Sequence, residues 1–151
     1  MDMWKCHTEH KQRPIPDEDS IVFWEGCRRH RLLIQQCDDC QRFRFPPSPL
    51  CPACLSSLAT WREDIGTGEV VTFCVYHVDL AGPAWQVDLP YAVAVVQLWQ
   101  SGVHMLSQLR EVNVDRVRIG LSVQVVFEDM GDGVMLPKFQ PLDNAVRATM
   151  T

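Results

Sequence analysis

Two Cys-x-x-Cys pairs, Cys37-Asp38-Asp39-Cys40 and Cys51-Pro52-Ala53-Cys54, stand with ten residues between them. The turn within each pair brings two thiolates to one side of a tight loop, and two such loops facing each other close a tetrahedron of sulfurs around one Zn2+. The intervening segment suits a hairpin: Arg42-Phe43-Arg44-Phe45 alternates polar and apolar, and Pro46, Pro47 and Pro49 end the strand. Two disulfides or two redox pairs are the rival chemistry. A thioredoxin-type pair, however, stands alone at a strand–helix junction, not twice across a proline-rich hairpin. Four thiolates leave no position open to water or substrate, so the metal is expected to be structural.

No other residue set reads as a reaction centre. Cys74 and His77 are a short-range nucleophile and base, but three positions apart on a strand their side chains point to opposite faces. His104, between apolar neighbours, reads as a core or surface histidine. Asp38-Asp39, Asp64, Asp79 and Asp88 fall mostly in turns. Gly66-x-Gly68 lacks the third glycine and the helix of a phosphate loop. Cys6, His7 and His10 have no fourth partner nearby and read as incidental.

The elements that must hold the knuckles follow from local pattern. Asp17-Glu18-Asp19-Ser20 supplies capping groups and first-turn charge for a helix from Glu18 to His30, with Arg28, Arg29, His30 and Arg31 at its C-terminal end. Leu32–Gln36 is expected as the strand that delivers Cys37, and Ser57–Ile65 as the strand that leaves the knuckles. Five further strands are expected over Glu69–Val78, Tyr91–Trp99, Val103–Leu109, Leu121–Glu128 and Val134–Gln140, with a loop over Asp79–Pro90 and a helical turn in Asn113–Gly120. That order predicts a mainly β chain, an N-terminal helix and four-cysteine zinc ribbon followed by a five-stranded OB-fold barrel. The expected divisions are a tail over 1–16, helix plus ribbon over 17–65, the barrel over 66–141 and a tail over 142–151.

Charge narrows the partners. The chain of 151 residues carries a formal net charge of −5. Through Ile65 it has nine basic and ten acidic residues, and beyond that five and nine. An OB fold that binds single-stranded nucleic acid sets aromatics in a positive groove. Phe73, Tyr76, Trp99 and Phe127 offer the rings without the charge. Single-stranded nucleic acid is therefore the weaker alternative. No signal peptide or membrane span is read in the sequence. Cys6, Cys27 and Cys74 are left as free thiols, so a cytoplasmic location is expected.

From Phe23-Trp24 to about Pro141 the sequence resembles a known family. The landmarks are the FW-containing helix, LLIQQCDDC, FPPSPLCPAC, WREDIGTGEVVTF, YAVAVVQL, and RIGLSVQVVFED with LPKFQP. This is the two-domain zinc-ribbon (rubredoxin-like) plus OB-fold family of acyl-CoA-associated proteins. The resemblance departs at Gln41 and Leu55, which follow the knuckles; glycine is usual after the second. It implies a non-catalytic accessory subunit of a thiolase-fold enzyme, an acyltransferase or an aldolase of the lipid-transfer thiolase type. Substrates would be CoA thioesters, including those of steroid side chains, and a hetero-oligomer is expected. It also implies contact with CoA, for which Arg28, Arg29, Arg31, Arg42 and Arg44 are candidates, able to meet phosphate oxygens. Trp4, Phe23, Trp24, Pro83 and Trp85 are candidates for the partner interface, since a small ribbon cannot bury them all.

Overall fold

A computed structural model describes residues 11–80 and 82–142. Trp4, Cys6, His7, His10 and the tail from residue 143 lie outside the described residues.

The first helix is shorter than its sequence suggests, and both ends have a local cause. Ser20 donates its N–H to Asp17 Oδ1 at 2.9 Å, and Asp17 donates its N–H to Ser20 Oγ at 3.1 Å. This reciprocal closure satisfies free donors with a turn, after which α1 runs Ile21–Arg28. At the other end, Arg31 donates its N–H to the Gly26 carbonyl at 2.9 Å across His30, which sits at φ 57. Such a left-handed close usually takes glycine. Here the His30 ring stacks on Phe127 of the barrel, centroids 5.4 Å apart and planes 3° from parallel.

The next strands form the ribbon. β1 (Leu32–Cys37) lies between β2 (Phe43–Arg44) and β3 (Ala59–Asp64) in an antiparallel sheet. β1 and β3 pair without a slip from Leu32↔Asp64 to Cys37↔Ala59.

The barrel uses β4 (Thr67–Tyr76), β5 (Tyr91–Leu98), β6 (His104–Gln108), β7 (Ser122–Asp129) and β8 (Met135–Pro141), in the order β6-β5-β4-β7-β8. β5 shows the alternation that places one face inward: Ala92, Ala94, Val96 and Leu98 are buried. The long β4 bends at a bulge between Val70 and Thr72, so its first residues pair with β7 while its length pairs with β5. The edges approach through a parallel bridge between Leu109 and Phe139, with Arg110 donating its N–H to the Phe139 carbonyl at 2.7 Å. The sheet is thus a nearly closed five-stranded barrel. Pro83–Asp88, expected as open loop, is a 3-10 segment, and a second covers Val114–Arg116.

Ribbon and barrel share one core. Phe23 and Cys27 of α1 and Leu32 and Ile34 of β1 pack in the same apolar cluster as Val70, Val96, Met105, Val123 and Phe139. Burial pushes the Cys27 thiol up to about 12, so it serves as an apolar packing group. A polar clasp holds the junction. Asp64, 4% exposed, accepts N–H bonds from Gly66 at 2.8 Å and from Ser101 at 3.0 Å. Among the described residues no helix is long and apolar enough to cross a membrane.

Candidate metal centre and the cavity beside it

β1 ends on Cys37, the turn after it presents Cys40, and a second turn presents Cys51 and Cys54. In each turn the residue after the pair donates its N–H back to the first cysteine: Gln41 to the Cys37 carbonyl at 3.0 Å, Leu55 to the Cys51 carbonyl at 2.8 Å. The Asp38 N–H reaches the Leu58 carbonyl at 3.1 Å, tying the first turn to the chain leaving the second.

The four sulfur atoms lie within 4.8 Å of one another, with Cys37–Cys54 and Cys40–Cys51 both at 3.6 Å. A tetrahedron with zinc–sulfur bonds of about 2.3 Å has edges of about 3.8 Å, so the donor set fits one zinc. Disulfide sulfurs would stand at about 2.05 Å. Electrostatics favours the same occupant. The Ala53 and Cys54 N–H groups lower the Cys51 thiol to about 6, and the Cys40 N–H leads the lowering of Cys37. The Ser56 amide favours thiolate at Cys54, yet burial and the three neighbouring sulfurs override it and push that thiol up to about 12. Four thiolates this close repel one another until a divalent cation lies between them. With every ligand position taken by sulfur, the zinc holds structure and leaves no site for a bound water.

Gln41 and Leu55 sit at φ 61 and 63, the left-handed region where a side chain is strained. Leu55 is 74% exposed, so its side chain has little packing to lose. Leu55→Gly is therefore expected to raise the stability of the zinc-loaded protein by about 0.5–1 kcal/mol, strain relief less the added chain entropy. Urea unfolding measures it; a loss of stability would show that the side chain, not the turn, matters there.

The candidate arginines are not equivalent. Arg28 and Arg29 are exposed near Glu25, each 3.7 Å from it, and Arg31 pairs with Glu63 at 2.8 Å. Arg42 is exposed on the hairpin. Arg44 corrects the sequence expectation: it is 7% exposed and donates to Gln35 Oε1 at 2.8 Å and to the Ser48 carbonyl at 2.9 Å. The strand's short pairing with β1 turns it inward, so Arg44 braces the ribbon and does not face a phosphate.

The interface candidates likewise separate. Phe23 is 2% exposed. It packs edge-on to Trp24 at 4.9 Å and lies 5.2 Å from Phe45, so it is core and offers no surface to a partner. Pro83 is exposed. Trp24 and Trp85 are half-buried and line a cavity of about 770 Å3 between α1, the segment after β2 and the barrel. The sequence offered no signal for this cavity, because its walls come from segments distant in the chain.

Two residues of the cavity wall, Gln108 and Lys138, belong to a polar network that extends away from it. Lys11 bonds Asp88 at 2.5 Å, Arg110 reaches Asp88 at 3.6 Å and Glu128 at 3.0 Å, and Lys138 donates to Gln108 Oε1 at 3.1 Å. Burial raises the Asp88 carboxyl, but the Lys11 ammonium and further donors outweigh it and hold it below the usual range. Cys74 and His77 share no contact; Cys74 instead neighbours Tyr76, two positions along the same face, and raises its phenol.

Fold and site together define a zinc-ribbon protein with an appended OB-fold barrel. Residues 24–59 match the family profile "ChsH2, rubredoxin-like zinc ribbon domain", and residues 61–128 match "ChsH2, C-terminal OB-fold domain". The chain is 33% identical to a protein of known structure, "Ltp2-ChsH2(DUF35) aldolase", with a TM-score of 0.77, covering 85% of this chain and 98% of that one. It belongs to the ChsH2 (DUF35) family.

Two curated relatives are similar over part of their length. A probable enoyl-CoA hydratase alpha subunit of Thermomonospora curvata is 33% identical over 131 residues, 87% of this chain. A 3-oxo-4,17-pregnadiene-20-carboxyl-CoA hydratase alpha subunit of Mycobacterium tuberculosis is 34% identical over 120 residues, 80% of this chain. The chain spans only 40% and 37% of these relatives.

Proposed function

We propose that this chain is a non-catalytic, zinc-stabilised subunit that binds and supports a thiolase-fold enzyme working on CoA thioesters. The partner would be an acyltransferase or a retro-aldolase, with steroid or lipid side chains as substrates, and it would carry the chemistry. The observation that supports this most is the match across 98% of a chain whose solved structure is described as an Ltp2-ChsH2 aldolase. The metal supports it too, since a sulfur-filled coordination sphere holds architecture and activates no water. Of the candidate contacts for CoA, Arg28, Arg29, Arg31 and Arg42 remain at the surface. Trp24, Pro83 and Trp85 remain candidates for the partner face, and so does Trp4, outside the described residues. The free thiols at buried Cys27 and exposed Cys74 support a cytoplasmic setting.

Co-expression with thiolase-fold enzymes of the same organism, followed by affinity capture and size-exclusion chromatography, tests the reading. The expected result is a stable hetero-complex that turns over acyl-CoA, while the purified chain alone does not. Robust turnover by the isolated chain, or no complex with any such enzyme, would overturn it.

A further inference from the structure

We propose that residues 11–16 are a releasable strap: a charge-held latch that closes one side of the cavity between α1 and the barrel and opens it by swinging about the turn at Asp17–Ser20. The segment forms no helix or strand, yet two ion pairs carry it back across the fold. Lys11 reaches Asp88, 77 positions away, at 2.5 Å. Arg13 pairs with Asp132, 119 positions away, in the turn between β7 and β8. Lys11 Nζ also stands 4.9 Å from the ring centre of Trp85, a residue of the cavity wall. Between these anchors and the turn at Asp17, Pro14 and Ile15 line the cavity.

Charge, more than burial, holds the strap down. Ile15 is 92% exposed although it lines the cavity, so its departure costs almost no apolar burial. Pro14 has the cavity on one side and on the other a second void of about 240 Å3, walled also by α1 and by residues 132–135. The strap therefore spans two hollows instead of packing on a continuous surface. Its acceptors are also equipped to lose their cations. Removing one member of a buried ion pair is costly because the other charge is left alone. Asp88 keeps Arg110 at 3.6 Å and Gln108 at 3.4 Å when Lys11 leaves, and Trp85 keeps Lys138 Nζ at 5.8 Å from its ring centre. Asp132, its side chain 83% exposed, returns to water. Neither departure strands a buried charge. The root of the strap stays in place, since Asp17 and Ser20 close their turn on each other. Pro14 and Pro16 limit the conformers of the open strap, so reclosure costs little entropy.

The strap and its anchors belong to this chain alone, so the proposal stands whether or not the partner proposed above is found. The zinc-loaded full chain is treated with trypsin, and mass spectrometry follows cleavage of the Lys11–Gln12 bond; the Arg13–Pro14 bond resists because proline follows. Cleavage requires Lys11 to leave Asp88, and where opening and closing are fast its rate tracks the open population. A free peptide with the sequence of residues 7–16 gives the fully open rate in each buffer. Relative to that peptide, cleavage is expected to be at least about tenfold slower at ~20 mM salt and to speed up about fivefold at ~0.5 M, where exposed charges are screened. Asp132→Asn keeps a residue type that tolerates the φ of 53 at that position. It is expected to speed cleavage about two- to fivefold at low salt. Acrylamide quenching of Trp85, isolated as the difference between wild type and Trp85→Phe, is expected to rise in step in both cases. Cleavage at the peptide's rate in low salt, cleavage indifferent to both salt and Asp132→Asn, or faster cleavage with Trp85 as shielded as before would each overturn the proposal.

Discussion

Cys40→Ser is expected to release the zinc and unfold the ribbon, and to lower the stability of the barrel with it. Structural zinc binds small modules with an apparent free energy of about 10–16 kcal/mol, and that binding is largely folding free energy. A hydroxyl is a poor fourth ligand for this soft donor set. Removing one thiolate also leaves the short β2 and the two knuckle turns with few contacts of their own. The damage does not stop there, because Phe23, Leu32 and Ile34 lie in the barrel's own apolar cluster. Loss of the ribbon would expose that face to water. Metal analysis and circular dichroism of the variant, compared with chelator-treated wild type, measure the effect. Retention of one zinc per chain with an intact ribbon would refute the assignment. Acid should act in the same direction, since protonation of the thiolates competes with metal, and affinity falls with falling pH.

Gly68→Ala should cost about 2–3 kcal/mol through overpacking against backbone. Gly68 pairs with Leu98 of β5 on one side and Val123 of β7 on the other. A Cβ there would stand 2.3 Å from the Gln97 carbonyl oxygen and 3.0 Å from Val96 Cγ1. The oxygen belongs to a central strand and cannot swing away as a side-chain tip could. The two strands must part at the place where β4 passes from one partner to the other. Gly120 supplies the control: it sits at φ 81, and a Cβ added there would meet no atom within 4 Å. Gly120→Asn should therefore lose about 1 kcal/mol or less. Thermal and urea unfolding of both variants decide it. A loss at Gly68 no larger than that at Gly120 would refute the close approach as the cause, since Gly68 has no left-handed φ to explain it.

The two knuckles are legible because coordination by Cys-x-x-Cys turns is a local property of spacing, and the strands are legible because alternation repeats every second residue. β5 is the clearest case, with inward positions readable from Tyr91 to Leu98. Helix α1 lies where its apolar positions put it but is shorter than they suggest, since the Asp17–Ser20 turn and the close at His30 depend on particular hydrogen bonds. The barrel order follows from strand count and the single helical turn between the third and fourth strands.

The sequence alone determined the zinc donors, the strand succession and the family likeness, because each rests on neighbours along the chain. Only the tertiary structure decided that Phe23 is core, that Arg44 braces the ribbon from inside, and that Trp24 and Trp85 face a shared cavity. It also brought Lys138 and Gln108 together across 30 positions. Burial and charge balance are properties of what surrounds a residue in space, and no local pattern carries them.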